Sequence, residues 1–319
     1  MKVLIIGFSA IVSRRVLASL IALPNVESIS VASRHLNSIE LIPQKKRGKI
    51  YPDYLNALKL FKGDLVYISL PNSLHYLWAK KSLETGLHVI LDKPSVIRYK
   101  DAQALVNLAN LNQLCIAEAN VWKYHPIAQD LLNIINKKGN PLYINAIFSS
   151  PKLNEDNFRY NKNLGSGVIL DRGSYAISCG NFFFKNNPVN AICTINYLDM
   201  IRDVDISVSI TLTYPCGSIL NGFFSLNAEY NNSIVGVSQS YYFRVERVFT
   251  PPPDYTGRIE VIENNKQSIQ SAKTGDSFAL FINNIINSIN NNNYEGYGNE
   301  LLEDAFVMKE ILKSSKLTR

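Results

Sequence analysis

The chain has 319 residues, of which 46% are hydrophobic and 18% charged, and a formal charge of +7. At about 100–200 residues per domain this length suggests two domains, with enough core to fold without cross-links, and the composition excludes a disordered chain, a coiled coil or a fibre. No run approaches the roughly 18 apolar residues of a membrane span, and the single basic knot, Lys45-Lys46-Arg47 with Lys49, is too short for a nucleic-acid surface.

The first third alternates strand and helix signals. Lys2–Ile6 is a continuous apolar run ending in Gly7, as a buried parallel strand requires. A helix is predicted over 11–23, with Val12, Val16, Leu20 and Leu23 on one side, and a strand over 28–33. Residues 45–47 read as exposed loop. A strand over 64–70 is stopped by Pro71, a helix over 73–85 has Gly86 to end it, and a strand over 88–91 is closed by Asp92-Lys93-Pro94. A helix over 101–112 and a strand over 114–118 follow. Repeated strand–helix units with short joints predict a doubly wound parallel sheet, and right-handed crossovers restrict it to a Rossmann-like topology.

The texture changes after about residue 120. A helix is predicted over 126–137. Ile206, Val208, Ile210 and Leu212 then alternate with polar residues, and runs at 218–225, 234–237, 241–248 and 258–262 also read as strands. The expected second domain, 121–319, is therefore α+β with a large, mostly antiparallel open sheet. A helical stripe (Phe278, Phe281, Ile282, Ile285, Ile289), a polar connector at 290–293 and a last helix over 300–314 complete it. An open sheet face with apolar residues predicts a homodimer or homotetramer. Cys115, Cys179, Cys193 and Cys216 are too scattered for a disulfide framework or zinc. The N-terminal apolar run meets Arg14 and Arg15 instead of a cleavage site. The reading is a metal-free cytoplasmic protein with neither membrane nor nucleic-acid partner. Its positive charge serves solubility or draws in an anionic small molecule.

Gly7 sits where a dinucleotide fold needs a tight turn against a pyrophosphate, with helix amides beyond it. The turn Gly7-Phe8-Ser9-Ala10-Ile11-Val12 departs from G-x-G-x-x-G, with Ser9 and Val12 at the second and third glycine positions. At the tip of the second strand Ser33-Arg34 stands in place of the carboxylate that accepts a ribose 2′-hydroxyl. Serine and arginine bind a 2′-phosphate, so NADP(H) is expected over NAD(H).

The segment Pro71-Asn72 with His75, then Gly86 and Asp92-Lys93-Pro94, resembles the Gfo/Idh/MocA oxidoreductases, with Asp92 in place of the usual glutamate. Glu118, Tyr124, His125 and Pro126 continue the resemblance, with Lys123 where arginine is common. So do Asn157-Phe158-Arg159, Leu164-Gly165-Ser166-Gly167-Val168 and Asp171-Arg172-Gly173-Ser174-Tyr175. Glu229-Tyr230-Asn231-Asn232 and Glu246-Arg247-Val248-Phe249-Thr250-Pro251-Pro252-Pro253 are similar to segments of NDP-hexose 3-ketoreductases.

The resemblance implies an oxidoreductase moving hydride between a nicotinamide and a sugar carbonyl, reducing a keto group of a nucleotide-linked deoxysugar. It places Leu70, Pro71, Asn72, His75, Asp92, Lys93 and Pro94 at the cofactor beside the Gly7–Ile11 turn. Tyr175 is the implied proton donor, and Lys93 the cation that stabilises the oxyanion and lowers the phenol's pKa. Asp171 shares a helical face with Tyr175 and would orient Lys93 or bind a sugar hydroxyl. Lys123, His125, Arg159 and Tyr230 are implied substrate contacts. Two alternatives remain open: an NAD(P)-dependent polyol, inositol or free-sugar dehydrogenase, and a cofactor-sensing module without catalysis.

Overall fold

The computed structural model describes residues 1–33 and 40–317 and forms two compact units: 1–120 with 278–305, and 121–277 with the residues from 306 onward. In the first unit β1 (Lys2–Ile6) runs through a π turn, Val12–Val16, into α1 (Leu17–Ala22) and then β2 (Ser28–Ala32). After β3 (Arg47–Tyr51) and α2 (Tyr54–Leu60) come β4 (Leu65–Ile68), α3 (Asn72–Glu84), β5 (His88–Leu91), α4 (Tyr99–Leu111) and β6 (Ile116–Glu118). The strand order is β3-β2-β1-β4-β5-β6, every pair parallel. Helices cover both faces of such a sheet, and Val3–Ile6, Leu65–Ile68 and Val89–Leu91 are fully apolar or aromatic and buried. The chain goes one way from β1 to β2 and the other way from β1 to β4. That reversal opens a crevice at the carboxyl ends of β1 and β4.

β3 and α2 were not expected. Their segment alternates and buries little: of β3 only Tyr51 is buried. The basic knot is part of this structure and not free loop. Gln44–Lys46 is a 3-10 turn, Lys46 Nζ donates to Leu23 O at 2.5 Å, and Arg47 Nε and Nη2 reach Ile42 O at 3.1 and 2.9 Å.

The second unit opens with a 3-10 turn, Val121–Tyr124, and α5 (Pro126–Lys138). β7 (Tyr143–Ser149) and α6 (Val168–Phe184) precede a run of strands: β8 (Asn190–Asp199), β9 (Val204–Thr213), β10 (Ile219–Ser225), β11 (Asn231–Val237), β12 (Tyr241–Glu246), β13 (Arg258–Glu263) and β14 (Lys266–Ser271). After α7 (Ser277–Asn290) and α8 (Glu295–Ser314) the chain adds β15 (Lys316–Leu317). The nine strands order as β14-β13-β12-β11-β7-β10-β9-β8-β15. The sheet is mixed: β7–β10 and β8–β15 are parallel, the other pairs antiparallel. One face of the central strands packs on α6, through residues such as Ile210, Leu220 and Ala146, all buried.

The expected second domain reached from 121 to the end, whereas residues 278–305 pack with the first unit. The Arg15 guanidinium lies 5.2 Å from the Phe278 ring centre, Asn25 Nδ2 donates to Asn283 Oδ1 at 2.8 Å, and Leu301 and Ala305 join the first unit's core. The apolar stripe of α7 shows that it needs a partner but not which one. Among the described residues no helix is long and apolar enough to cross a membrane.

Candidate active site

Three loops end at the carboxyl edge of the first sheet. Gly7 follows β1 with φ +86°, and a Cβ there would stand 2.2 Å from Ser69 O, so this turn needs glycine for both conformation and space. Phe8, Ser9 and Ile11 are half-buried and Ala10 is exposed. Ser9 accepts from the Val12 amide at 3.2 Å, which satisfies one early helix donor, and its hydroxyl lies 2.7 Å from Ser69 Oγ. Ser69 Oγ donates to Asp92 Oδ2, and Tyr67 OH donates to Asp92 Oδ1 at 2.6 Å. A serine has one proton to give, so Ser9 donates to Ser69. A directed chain of hydroxyls thus runs from the Gly7 turn to the carboxylate beside Lys93. Burial, with the Asp92 charge and hydrogen bond behind it, pushes the Tyr67 phenol well above its ordinary pKa, so it remains a donor.

The lysine loop is held at three points. Asp92 is the first. His75, expected at the cofactor, is fully buried, with Nδ1 2.9 Å from Pro94 O and Nε2 2.8 Å from Leu70 O. Both nitrogens face main chain, so the ring ties the end of β4 to the loop. The third point is Glu118, whose Oε2 accepts the Ser95 amide at 2.6 Å while Oε1 takes Asn120 Nδ2 at 2.9 Å. Between these anchors Lys93 is half-buried and the Lys93–Pro94 bond is cis. Leu70 and Pro71 are half-buried at the end of β4, and Asn72 opens α3. Ser33 is buried after β2, its amide donating to Tyr51 O at 3.0 Å; Arg34 lies outside the described residues.

In the second unit the chemistry gathers at the start of α6. Gly167 precedes it with φ +103°, and a Cβ there would stand 2.2 Å from Asp205 Oδ1. Asp205, reaching over from β9, accepts the Ile169 amide at 2.6 Å and so satisfies a first-turn donor that no carbonyl of the helix can reach. Burial raises this carboxyl to about 6, against the pull of the Ile169 and Val168 amides. One turn on, Asp171 Oδ2 pairs with Arg159 Nε at 2.9 Å and lies 3.7 Å from Arg172 Nε. Two expected substrate contacts are therefore partners of each other. Arg172 is buried, donates to Phe148 O, Ser225 O and Ser150 Oγ, and staples α6 to the ends of β7 and β10; burial lowers its pKa.

Tyr175 follows Asp171 by four residues on the same helical face. Its ring packs 5.2 Å from that of Phe148 and 4.8 Å from that of Phe249, and the residue is 8% exposed. Lys123 is half-buried in the 3-10 turn. His125, expected at the substrate, is fully buried, accepts the Ile127 amide on Nδ1 at 3.1 Å and caps α5. Tyr230 is 48% exposed and stands under the Arg247 guanidinium.

Residues 1–119 match the oxidoreductase family with an NAD-binding Rossmann fold, and residues 136–246 match the Gfo/Idh/MocA C-terminal domain. The chain belongs to the Gfo/Idh/MocA family. Among its relatives, the uncharacterized oxidoreductase ORF334 of Rhizobium meliloti is 26% identical over 85% of this chain and 81% of that protein. The dTDP-3,4-didehydro-2,6-dideoxy-alpha-D-glucose 3-reductase of Saccharopolyspora spinosa is 26% identical over 81% of this chain and 78% of its own. KijD10, a 3-ketoreductase from Actinomadura kijaniata crystallised with NADP and TDP-benzene, shares the fold at a TM-score of 0.91 and 24% identity, covering 99% of this chain and 98% of that one.

This Gfo/Idh/MocA chain fits a nicotinamide dinucleotide at its first sheet. The bare Gly7 turn lets main chain approach a pyrophosphate, and the helix amides behind it favour an anion. Tyr67, Ser69 and Asp205 support the site without having stood out in the sequence, whereas Glu118, part of the family resemblance there, gains a role as the acceptor of the Ser95 amide. Tyr67 and Ser69 did leave a signal, two polar side chains on one face of an otherwise apolar strand.

Proposed function

We propose that the protein is an NADP-preferring reductase acting on a keto group of a nucleotide-linked deoxysugar. The observation that carries this reading is the Lys93 loop, clamped at the carboxyl edge of the sheet next to the Gly7 turn. The relative from Saccharopolyspora spinosa, a dTDP-sugar 3-reductase by name, supports the substrate class. Bound NADPH would supply the hydride that reaches the carbonyl carbon. Tyr175 gives its phenolic proton to the carbonyl oxygen, and the Lys93 ammonium stabilises negative charge there as it develops. Asp171, held by Arg159, keeps that helix face polar and accepts a sugar hydroxyl.

The cofactor preference rests on Ser33-Arg34, where a 2′-phosphate meets a serine and a guanidinium and no carboxylate. Fluorescence titration of NADPH against NADH tests it; equal affinities remove the argument. The function is tested by following NADPH oxidation with a panel of dTDP- and UDP-linked keto-deoxysugars, free sugars and polyols. Turnover confined to nucleotide-linked ketones fits the proposal. Turnover of free sugars or inositols alone replaces it with a polyol-type dehydrogenase, and none at all with a cofactor-sensing module.

The protein is further proposed to form a homodimer or homotetramer through the sheet face opposite α6. There Tyr143, Ile219 and Val237 form one cross-strand row, and Ile147 with Phe223 another, none of them buried. Light scattering coupled to size exclusion measures this directly, and a monomer at micromolar concentration removes it.

A further inference from the structure

Helix α8 buries a carboxylate that the proposed reaction does not use. Leu301 and Ala305 turn one side of the helix into the first unit's core, and Asp304 lies beside them, buried as well. Gly298, earlier in the same helix, would place a Cβ 3.3 Å from Val106, so α8 lies close against α4 with little room to shift. A buried carboxylate needs hydrogen-bond donors in place of its water. Asp304 Oδ2 accepts Asn120 Nδ2 at 2.9 Å, across 184 residues of chain.

Asn120 is buried just past the end of β6, and its Nδ2 also donates to Glu118 Oε1 at 2.9 Å. One amide group thus gives its two protons to two carboxylates. The other end of the amide, Oδ1, is buried with no hydrogen-bond partner among the described residues, so these two bonds hold the side chain. Glu118 Oε2 in turn accepts the Ser95 amide at 2.6 Å, two residues beyond Lys93. A line of hydrogen bonds therefore runs Asp304–Asn120–Glu118–Ser95, from α8 across the end of β6 to the lysine loop, all of it within the first unit.

We infer that Asp304 is a positioning residue for Lys93, acting through Asn120 and Glu118. A glutamate side chain turns about three torsions, and one main-chain amide does not fix them all. With Oε1 held by Asn120, Oε2 is aimed at Ser95, and the chain beyond Pro94 is fixed. Without Asp304, Asn120 loses one of its two anchors and Glu118 is free to swing. The Lys93 ammonium has to meet the developing charge to within a fraction of an ångström, so a slack loop slows the chemistry while leaving the cofactor cradle at Gly7 intact. The inference rests on the part given to Lys93 in the proposed reaction and holds for whichever ketone is reduced.

The test is single-turnover hydride transfer by the full-length protein, with NADPH and the fastest ketone of the panel above. Asp304→Ala should lower the rate constant by about 10–100-fold, the scale of a small misplacement of a catalytic group, with NADPH affinity changed by less than about threefold. A merely smaller folded fraction would lower the amplitude and leave the rate constant alone. Asp304→Asn, which still presents an oxygen to Asn120, should recover most of the rate. On a Lys93→Ala background Asp304→Ala should cause no further loss, because both act through one ammonium. If Asp304→Ala does not fold, Asn120→Ala cuts the line at its middle and should give the same pattern. A wild-type rate constant in these variants, or a full further loss on the Lys93→Ala background, overturns the inference and leaves the proposed function standing. Lys93→Ala as fast as wild type, or a wild type that reduces no ketone of the panel, overturns both.

Discussion

Lys93 and Tyr175 carry the charge and the proton of the proposed reaction, and each can be removed without disturbing the Gly7 turn. Lys93→Ala and Tyr175→Phe should each lower kcat by about 10²–10⁴, with NADPH affinity changed by less than about threefold. Stopped-flow hydride transfer and a fluorescence titration on the same preparations separate the two effects; unchanged rates would remove either residue from the chemistry. These residues were legible because their motifs are local: Lys93 lies in one short run, and Asp171 and Tyr175 share one helical turn. The residues that position them were not. Asp92 meets Ser69 and Tyr67 across 23 and 25 residues, and Asp205 meets Ile169 across 36. Such partners are chosen by which strands pair and in what register, and no spacing in the chain encodes that. The surroundings of the two histidines were hidden for a related reason: a motif fixes the residue but not whether its ring turns inward, as those of His75 and His125 do.

Among elements, the hydroxyl chain joins the turn after β1 to the loop after β5. Two departures from the family pattern, serine for glycine at 9 and aspartate for glutamate at 92, stand at its two ends. Ser9→Ala and Asp92→Asn should therefore be non-additive by at least about 0.5 kcal/mol in urea unfolding although the two side chains do not touch each other, whereas unlinked sites add within about 0.3–0.5 kcal/mol. Additivity would mean that the hydroxyls merely fill space. At the start of α6 the relevant variable is pH. The Asp205 carboxyl stands at about 6 in the fold against an ordinary 3.8, so the native state holds a proton that the unfolded chain has released. Its stabilising contribution is complete below about pH 3.8 and is lost as pH rises through 6, on the order of 3 kcal/mol at most. Asp205→Asn cannot titrate, so its melting temperature relative to wild type should rise between pH 4.5 and 7. A pH-independent difference would show that the carboxyl titrates normally.

For the molecule as a whole, the parallel strands were the most readable part, since burial on both faces writes itself as apolar runs. Elements at or next to a sheet edge, such as β3, β8 and β14, were not, because their half-exposed sequences look like loop. The membership of α7 was hidden too, since its stripe fits any apolar surface. A fragment 1–120 should accordingly be poorly soluble, while the same fragment linked to 278–305 should fold and bind NADPH; a well-behaved short fragment would argue against the pairing. The discontinuous first unit also constrains biosynthesis. The sheet of the first unit is synthesised before the helices that complete its core, and the whole of 121–277 is made in between. A nascent chain that has reached residue 277 therefore holds every strand of the first sheet while one flank of its core still lacks its cover.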